Sequence, residues 1–186
     1  MTDRNQNRHG AGIVLLGAGL LLLFLAISGC TTSDQADMRN RDTWQTIQLT
    51  DVRSGMQFSV SDIRDRPVLI QAFTLTCPIC RQQQAEITKL HDSGEIPFVM
   101  IGLDIDPNGD ADSLRDYTHR YGYYGLYAQS PPDMTSALVD QFGTPVLSPA
   151  QAPLILVCPD GSARILSPGV KSAEKLQKVL IEGCRA

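Results

Sequence analysis

The chain has 186 residues and a formal net charge of −4, and 42% of its residues are hydrophobic while 19% are charged. This length suits one domain of ordinary size, and this composition supports a buried core and excludes a disordered polypeptide. The net negative charge excludes a general nucleic-acid-binding protein, which needs an excess of lysine and arginine.

The first 29 residues differ from the rest and predict a signal peptide. Two arginines precede an apolar run of 17 residues, Ala11 to Ile27, which is shorter than the roughly 20 residues that span a bilayer. The run ends in Ile27–Ser28–Gly29–Cys30, which resembles the lipobox of prokaryotic lipoproteins, where the cysteine receives a diacylglycerol group and becomes the mature N-terminus. We therefore expect cleavage before Cys30 and lipidation of that cysteine; the alternative is an uncleaved N-terminal helix. Both alternatives place the domain on the extracytoplasmic face of the cell membrane.

Residues 30–43 are polar and lack an apolar period, which predicts a flexible tether. The folded domain is predicted to comprise residues 44–186. Its first element is a hairpin, because apolar residues alternate before and after a turn at 51–55.

Further along the chain, compact apolar runs predict strands, and apolar residues at helical spacing predict helices. A sharp turn is expected at Pro159–Gly161, and Ser172 is a good N-cap for the last helix. In chain order these elements are a strand at Val68–Phe73, a helix at Pro78–Leu90, a strand at Pro97–Leu103, helices at Asp112–Tyr121 and Asp133–Phe142, strands at Leu154–Val157 and Ala163–Leu166, and a helix presenting Leu176, Val179 and Leu180. Their alternation indicates an α/β fold with a mixed sheet covered on both faces.

Cys77–Pro78–Ile79–Cys80 is the motif that carries chemistry. It lies between a predicted buried strand and a helix, so both sulfurs fall within one helical turn and within reach of a disulfide. Free N–H groups and the helix dipole stabilise a thiolate at the first position, which makes Cys77 the attacking thiol. Cys80 is one turn further in and resolves the mixed disulfide. The alternatives are a static disulfide or half of a zinc site, although no second ligand pair of zinc-binding spacing occurs in the sequence.

From about residue 44 to 184, the sequence resembles the thioredoxin superfamily, and most closely its membrane-tethered extracytoplasmic branches, the TlpA/ResA-type thioredoxins and the Sco/SenC-type copper-assembly proteins. The resemblance rests on the predicted hairpin, on the segment 73–80, and on 103–107 followed by Asp110, Leu114 and Tyr117. It implies a thioredoxin fold with an extra N-terminal β-hairpin and the activity of a thiol-disulfide oxidoreductase. It also implies that Ala152–Pro153 is the family's cis-proline, which faces the C-x-x-C and binds the substrate backbone.

The sequence departs from both families at informative positions. Thioredoxins carry a buried aspartate where this chain has Gln71 and a lysine where it has Gly102, so proton transfer to and from Cys80 must use water or another group. Sco-type proteins bind copper through C-x-x-x-C and a histidine, whereas this motif is C-x-x-C and the segment 148–153 contains no histidine. Cu(I) on the thiolates of Cys77 and Cys80 is therefore the alternative, without a third ligand to make the site tight.

Acidic residues follow the second core strand and partly match a calcium loop. Asp104, Asp106 and Asn108 fit the pattern, but Arg115 stands where a bidentate glutamate is needed. We therefore expect a solvated loop with Asp110 or Asp112 as the cap of the next helix. A neighbouring cluster of tyrosines, Tyr117, Tyr121, Tyr123, Tyr124 and Tyr127, is either a docking surface or packing over a helix end.

Two cysteines remain, Cys158 after a core strand and Cys184 at the end of the last helix. They either form a structural disulfide, which an extracytoplasmic compartment allows, or remain two separate buried thiols.

The sequence therefore predicts a lipid-anchored thiol-disulfide oxidoreductase that acts on protein cysteines and needs no bound cofactor. The alternatives are a copper carrier or copper-site assembly factor that uses the same two thiols, and a non-catalytic domain that docks a partner through its tyrosines.

Overall fold

The computed structural model describes residues 43–184, and a five-stranded mixed sheet organises this part of the chain. The predicted signal peptide, the lipidation site Cys30 and the tether to residue 42 lie outside the described residues. The strands are β1 (Leu49–Thr50), β2 (Gln57–Phe58), β3 (Val68–Phe73), β4 (Val99–Asp104), β5 (Leu126–Gln129), β6 (Leu154–Val157) and β7 (Ala163–Ile165). The α-helices are α1 (Pro78–Ser93), α2 (Ala111–Tyr121), α3 (Pro132–Phe142) and α4 (Ala173–Gly183).

The central sheet has the strand order β5-β4-β3-β6-β7. The strands β3, β4 and β5 are parallel, whereas β6 and β7 run antiparallel to their neighbours. All six residues of β3 are buried, as expected for a central strand that is covered on both faces. The remaining strands, β1 and β2, form the predicted N-terminal hairpin as a separate two-stranded sheet.

Helices cover both faces of the sheet. Because side chains alternate along each strand, each central strand contributes residues to the core on both faces. On one face, Ile70 and Ile101 pack with Trp44 and with Met134 and Leu138 of α3. On the other face, Leu69 packs against residues of α1 and α4, and Phe73 packs against residues of α2. The α/β class with a mixed, doubly covered sheet is confirmed.

One strand, β5, is absent from the order of elements predicted from the sequence. The prediction placed α2 and α3 in direct succession, but β5 lies between them and pairs in parallel with β4 at the edge of the sheet. Four residues are too few for a periodic signal beside a run of tyrosines and glycines. The two strands of the hairpin are also shorter than expected, since Val60 opens a 3-10 turn, Val60–Asp62, instead of continuing β2.

The interpretation of the acidic loop is half confirmed. Asp110 caps α2 by accepting a hydrogen bond from the backbone N–H of Ser113 at 2.8 Å. Asp104, expected in a solvated loop, is instead the last residue of β4 and only 1% exposed. Its side chain lies on the face of the sheet that α1 and α2 cover, because it is two residues after Gly102 in an extended strand.

Candidate active site

Cys77 and Cys80 form a disulfide at the N-terminus of α1, with their Cα atoms 5.3 Å apart. Cys77 is the N-cap of the helix, and the backbone N–H of Cys80 donates to its Sγ at 3.1 Å. Pro78 follows at the first helical position, where its missing N–H removes no helical hydrogen bond. Because free N–H groups and the positive end of the helix dipole lie at this terminus, the reduced Cys77 is positioned to carry a negative charge.

The two sulfurs differ in exposure as the motif predicts. Cys77 is 8% exposed and Cys80 is completely buried. Only Cys77 therefore presents surface to a partner, while Cys80 is confined to attack the neighbouring sulfur.

The loop that contains the segment 148–153 covers the disulfide. Between α3 and β6 the chain makes two short 3-10 turns, Thr144–Leu147 and Pro149–Gln151. The carbonyl oxygen of Pro149 lies 3.5 Å from Cys77 Sγ and 3.2 Å from Cys80 Sγ. After reduction, this oxygen is in place to accept a hydrogen bond from a thiol.

The expectation of a cis-proline at Ala152–Pro153 is wrong, because no peptide bond in the described part of the chain is cis. Ala152 instead takes a left-handed conformation, with φ 46° and ψ 59°, where the 3-10 turn ends. This conformation redirects the chain into β6 without a cis bond, at a cost of about 1–2 kcal/mol for a residue with a Cβ. Ala152 and Pro153 are both buried at the end of the loop that covers the disulfide.

A hydrogen-bonded chain from α1 holds this loop in place. Gln83 is buried and exchanges hydrogen bonds with the backbone of Lys171 at 3.1 and 2.7 Å. The Lys171 ammonium donates to the carbonyls of Ser167 and Gly169, and burial lowers the pKa of this group. Gly169 N–H in turn donates to the carbonyl of Gln151 at 2.8 Å. A buried glutamine and lysine outside any motif thus position the backbone beside the sulfurs.

Polar groups lie directly behind Cys80, between the sheet and the helices α1 and α2. Gln71 is fully buried and donates from Nε2 to the carbonyl of Cys80 at 3.4 Å. Gln84 accepts a hydrogen bond at 2.7 Å from the hydroxyl of Tyr117, whose pKa burial raises well above its usual range. The sequence singled out Gln71 as the residue at the position of a thioredoxin aspartate, but it gave no sign of Gln84, which lies in a polar stretch of α1 without a motif.

The tyrosine cluster divides between core and surface. Tyr117 and Tyr127 are buried, and both pack edge-on or tilted against Phe73 at 5.6 and 6.0 Å between ring centroids. Tyr121 and Tyr123 stack at 5.4 Å, with the guanidinium of Arg81 5.8 Å from the Tyr121 centroid. A docking surface built from all five tyrosines is therefore wrong.

The other cysteine pair is a disulfide, which decides between the two alternatives for these residues. Cys158 and Cys184 are bonded with their Cα atoms 5.4 Å apart and 26 residues apart in sequence. The bond ties the end of β6 to the end of α4.

Among residues 43–184, no group of three or more histidine, cysteine or acidic side chains is arranged to hold a metal ion. The segment nearest the sulfurs, 148–153, contributes a backbone carbonyl and not a soft donor of the kind Cu(I) prefers.

Among residues 43–184, no helix has the length and apolar character needed to cross a membrane.

Comparison with solved structures identifies the fold. Neither a protein-family model nor a curated protein matches the sequence. A secreted disulfide oxidoreductase of Mycobacterium tuberculosis, described as homologous to Escherichia coli DsbE, superposes with a TM-score of 0.56 at 14% identity over 75% of this chain and 98% of that one. The chain has a thioredoxin fold.

Other solved structures share this thioredoxin fold at similarly low sequence identity. A thiol:disulfide interchange protein of Chlorobium tepidum matches with a TM-score of 0.59 at 14% identity, over 75% of this chain and 93% of that one. A DsbF homologue of Corynebacterium diphtheriae matches with a TM-score of 0.59 at 18% identity, over 73% and 82% of the two chains. In this thioredoxin fold, the Cys77–Cys80 pair occupies the start of the helix that follows the first central strand.

Proposed function

We propose that this protein is a thiol-disulfide oxidoreductase that exchanges disulfides with the cysteines of partner proteins. The observation that carries the proposal is the Cys77–Cys80 disulfide at the N-terminus of α1, with Cys77 as N-cap and Cys80 fully buried. Several solved structures of the same fold are described as thiol-disulfide oxidoreductases, which supports it.

The chemistry needs only these two cysteines. In the reduced protein, the Cys77 thiolate attacks a partner disulfide, forms a Cys77–partner bond and releases the other partner sulfur as a thiolate, which takes up a proton. Cys80 then loses its proton and attacks Cys77 Sγ; the Cys77–Cys80 bond forms and the partner leaves as a second thiolate. Run backwards, the same steps oxidise a partner dithiol.

Trapping of the intermediate tests the proposal. Replacing the resolving thiol, Cys80→Ser, is expected to accumulate partner proteins as mixed disulfides through Cys77, because the second step cannot occur. In the reduced wild-type protein, Cys77 is expected to alkylate faster than Cys80 near neutral pH, as measured by mass spectrometry of the modified peptides.

The double variant Cys77→Ser/Cys80→Ser is the matched control, since it keeps the Cys158–Cys184 disulfide and removes only the motif. It is expected to trap nothing. Faster alkylation of Cys80, or trapping that persists in Cys77→Ser, would contradict the assigned roles.

We also propose that the mature protein is attached through lipidated Cys30 to the extracytoplasmic face of the membrane. The sequence Ile27–Cys30 after the apolar run supports this location. Mass spectrometry of membrane-extracted protein is expected to find an N-terminal acylated Cys30, and Cys30→Ser is expected to block processing. An unmodified chain that begins at Met1 would refute the anchor.

A further inference from the structure

Four buried side-chain atoms of the described residues lack a protein hydrogen-bond partner: Gln71 Oε1, Gln84 Nε2, Asp104 Oδ2 and Tyr127 OH. All four belong to the layer between the sheet and the helices α1 and α2, directly behind the disulfide. Buried polar atoms are nearly always paired, and those without a protein partner are the usual binding sites of internal water. Their concentration in one layer therefore indicates that this layer holds bound water.

Strand register places these groups side by side. Gln71, Gly102 and Tyr127 are aligned on the neighbouring strands β3, β4 and β5, so their side chains point to the same face. Gly102 has no side chain, and the Tyr127 ring occupies the space above it: a Cβ at position 102 would lie 2.5 Å from two ring carbons. Tyr127 therefore extends across β4 towards Gln71 and α1.

Asp104 continues this row by two residues along β4, which is about 7 Å. Its Oδ1 accepts a hydrogen bond from the backbone N–H of Asp106 at 3.2 Å, and its Oδ2 has no protein partner. The backbone of Gly109 closes over the carboxylate, since a Cβ there would lie 2.6 Å from Oδ2. This loop therefore covers the carboxylate oxygen that has no protein partner.

The other end of the row is Cys80. Gln71 donates to the Cys80 carbonyl, and Cys80 packs in one buried cluster with Tyr127, Tyr117 and Phe73. Gln84 lies one helical turn after Cys80 and is held by Tyr117 of α2. The unpaired atoms thus belong to the layer that contains Cys80, with Asp104 beside Phe73 on the neighbouring strand.

We propose that these four groups bind buried water and carry the proton between Cys80 Sγ and the Asp104 carboxylate during the resolving step. The inference rests on the proposed function and names the group that takes the place of the ionisable pair missing at Gln71 and Gly102. Asp104 is the residue that holds the proton, and Gln71, Gln84 and Tyr127 are positioning residues.

The ionisation properties of the two end groups suit these roles. Burial, together with the negative charges of Asp106 and Asp110, raises the pKa of Asp104 to about 6, against the lowering effect of the hydrogen bond from Asp106 N–H. Burial also raises the pKa of Tyr127 far above its usual range, so its hydroxyl stays protonated and donates. The other charged or titratable groups facing this layer include Arg81 of α1, Tyr117 and Tyr121 of α2, Tyr123 and, 5.6 Å from the Tyr127 ring, Arg53 of the hairpin.

The step is balanced in protons and electrons. The proton of the Cys80 thiol passes through the water-filled layer to the ionised Asp104, and the Cys80 electron pair forms the bond to Cys77 Sγ while the Cys77–partner bond breaks. The partner leaves as a thiolate, and Asp104 then returns the proton to solvent. In the opposite direction, protonated Asp104 supplies the proton to Cys80 as this sulfur leaves.

A colorimetric disulfide reagent, 5,5′-dithiobis(2-nitrobenzoate), separates the resolving step from the first attack. It is mixed in excess, in a stopped-flow instrument, with protein that is reduced at Cys77–Cys80 and carries Cys30→Ser to remove a competing thiol. It then releases one nitrothiobenzoate as Cys77 attacks and a second as Cys80 resolves. The second phase is intramolecular, so its rate is independent of reagent concentration. In the wild type, this rate is expected to rise with pH through an inflection near 6, where Asp104 ionises.

Asp104→Asn is expected to abolish this inflection and to slow the second phase at pH 7 about tenfold or more, a size typical of positioned acid-base groups. The first phase should be unchanged. Tyr127→Phe, which removes only the hydroxyl, should slow the second phase and keep the inflection. The matched control is Asp106→Asn, an exposed carboxylate on the same loop, which should keep the inflection and shift it to slightly lower pH.

Each outcome decides a separate point. Absence of the first phase in the wild type would contradict the proposed function itself. Two normal phases with an unchanged inflection in Asp104→Asn, or loss of the inflection in Asp106→Asn, would overturn the inference and leave the proposed function standing. Unchanged resolution in Tyr127→Phe would exclude this hydroxyl from the path.

Discussion

At the scale of single residues, Gly102 and Tyr127 form one unit. A glycine in the middle of a buried strand is unfavourable by itself, since it packs no side chain. Here its missing Cβ admits the Tyr127 ring, and Asp51 fixes the backbone of that tyrosine by accepting from its N–H at 2.9 Å. The position that bears a lysine in thioredoxins is thus filled by the ring of a tyrosine from the adjacent strand.

Replacing Gly102 by alanine tests this coupling. Gly102 does not have a positive φ, so the backbone accepts alanine. The main obstacle is the Tyr127 ring, 2.5 Å from the added Cβ, and the Phe73 ring lies further away at 3.2 Å. Gly102→Ala is expected to lower the free energy of unfolding by about 1–3 kcal/mol, as overpacking does. In a Tyr127→Ala background the same change should cost little, which a double-mutant cycle from denaturant unfolding measures. Equal costs in the two backgrounds would mean that the ring is not what excludes a side chain at position 102.

At the scale of elements, the sequence predicted best where a pattern is long or a residue has a single role. The helix α1 begins at Pro78 as expected and ends three residues later than predicted, with Gly94 in a left-handed conformation as its C-cap. The helix α4 begins after Ser172, whose hydroxyl caps it as expected by accepting from the backbone N–H of Lys175.

Prediction was weakest where tertiary contacts determine the structure. The strand β5 forms because β4 offers an edge, and the hairpin reinforces β5 through a hydrogen bond from Val52 N–H to the Tyr127 carbonyl at 2.8 Å. The loop 143–153 takes its place over the sulfurs through Lys171 and Gly169, which are distant in sequence. The Cys77–Cys80 motif could be predicted because its chemistry depends on local spacing in the sequence. The positions of the buried groups behind it depend on the register between strands, which no local pattern shows.

The second disulfide acts on the same scale. It joins the end of β6 to the end of α4 across 26 residues, and a loop of this length stabilises by about 3.5 kcal/mol in the chain-entropy model. Since α4 carries the buried Leu176 and Leu180 against β6, the bond fixes a helix that covers the same face of the sheet as α1.

At the scale of the whole molecule, Asp104 makes the stability depend on pH. Most carboxylates with shifted pKa values are exposed and have values lowered by hydrogen bonds, as in Asp62 with Ser59 and Asp110 with Ser113. Such groups stabilise the fold above their unfolded pKa, and this contribution is lost as the pH falls through the folded value. Asp104 acts in the opposite sense, because its folded pKa, about 6, lies above the unfolded value.

The sign follows from proton linkage. Between about pH 4 and 6 the folded state binds more protons at Asp104 than the unfolded state does, so the free energy of unfolding decreases as the pH rises through this interval. The expected decrease is on the order of 1–2 kcal/mol after allowance for screening by solvent around the loop. The carboxylates with lowered pKa values lose their stabilising contribution only at lower pH. The free energy of unfolding should therefore be highest near pH 4–5 and should fall towards neutrality.

Denaturant unfolding of the oxidised protein from pH 3 to 8 measures this dependence. Asp104→Asn should remove the decrease between pH 4 and 6, and Asp106→Asn, which leaves the buried carboxylate in place, should retain it. If the two variants follow the same curve, Asp104 is not the group that titrates in this interval. At neutral pH the ionised Asp104 carboxylate lowers the stability of the fold. Such a cost is expected of a group that is retained for proton transfer and not for its contribution to packing.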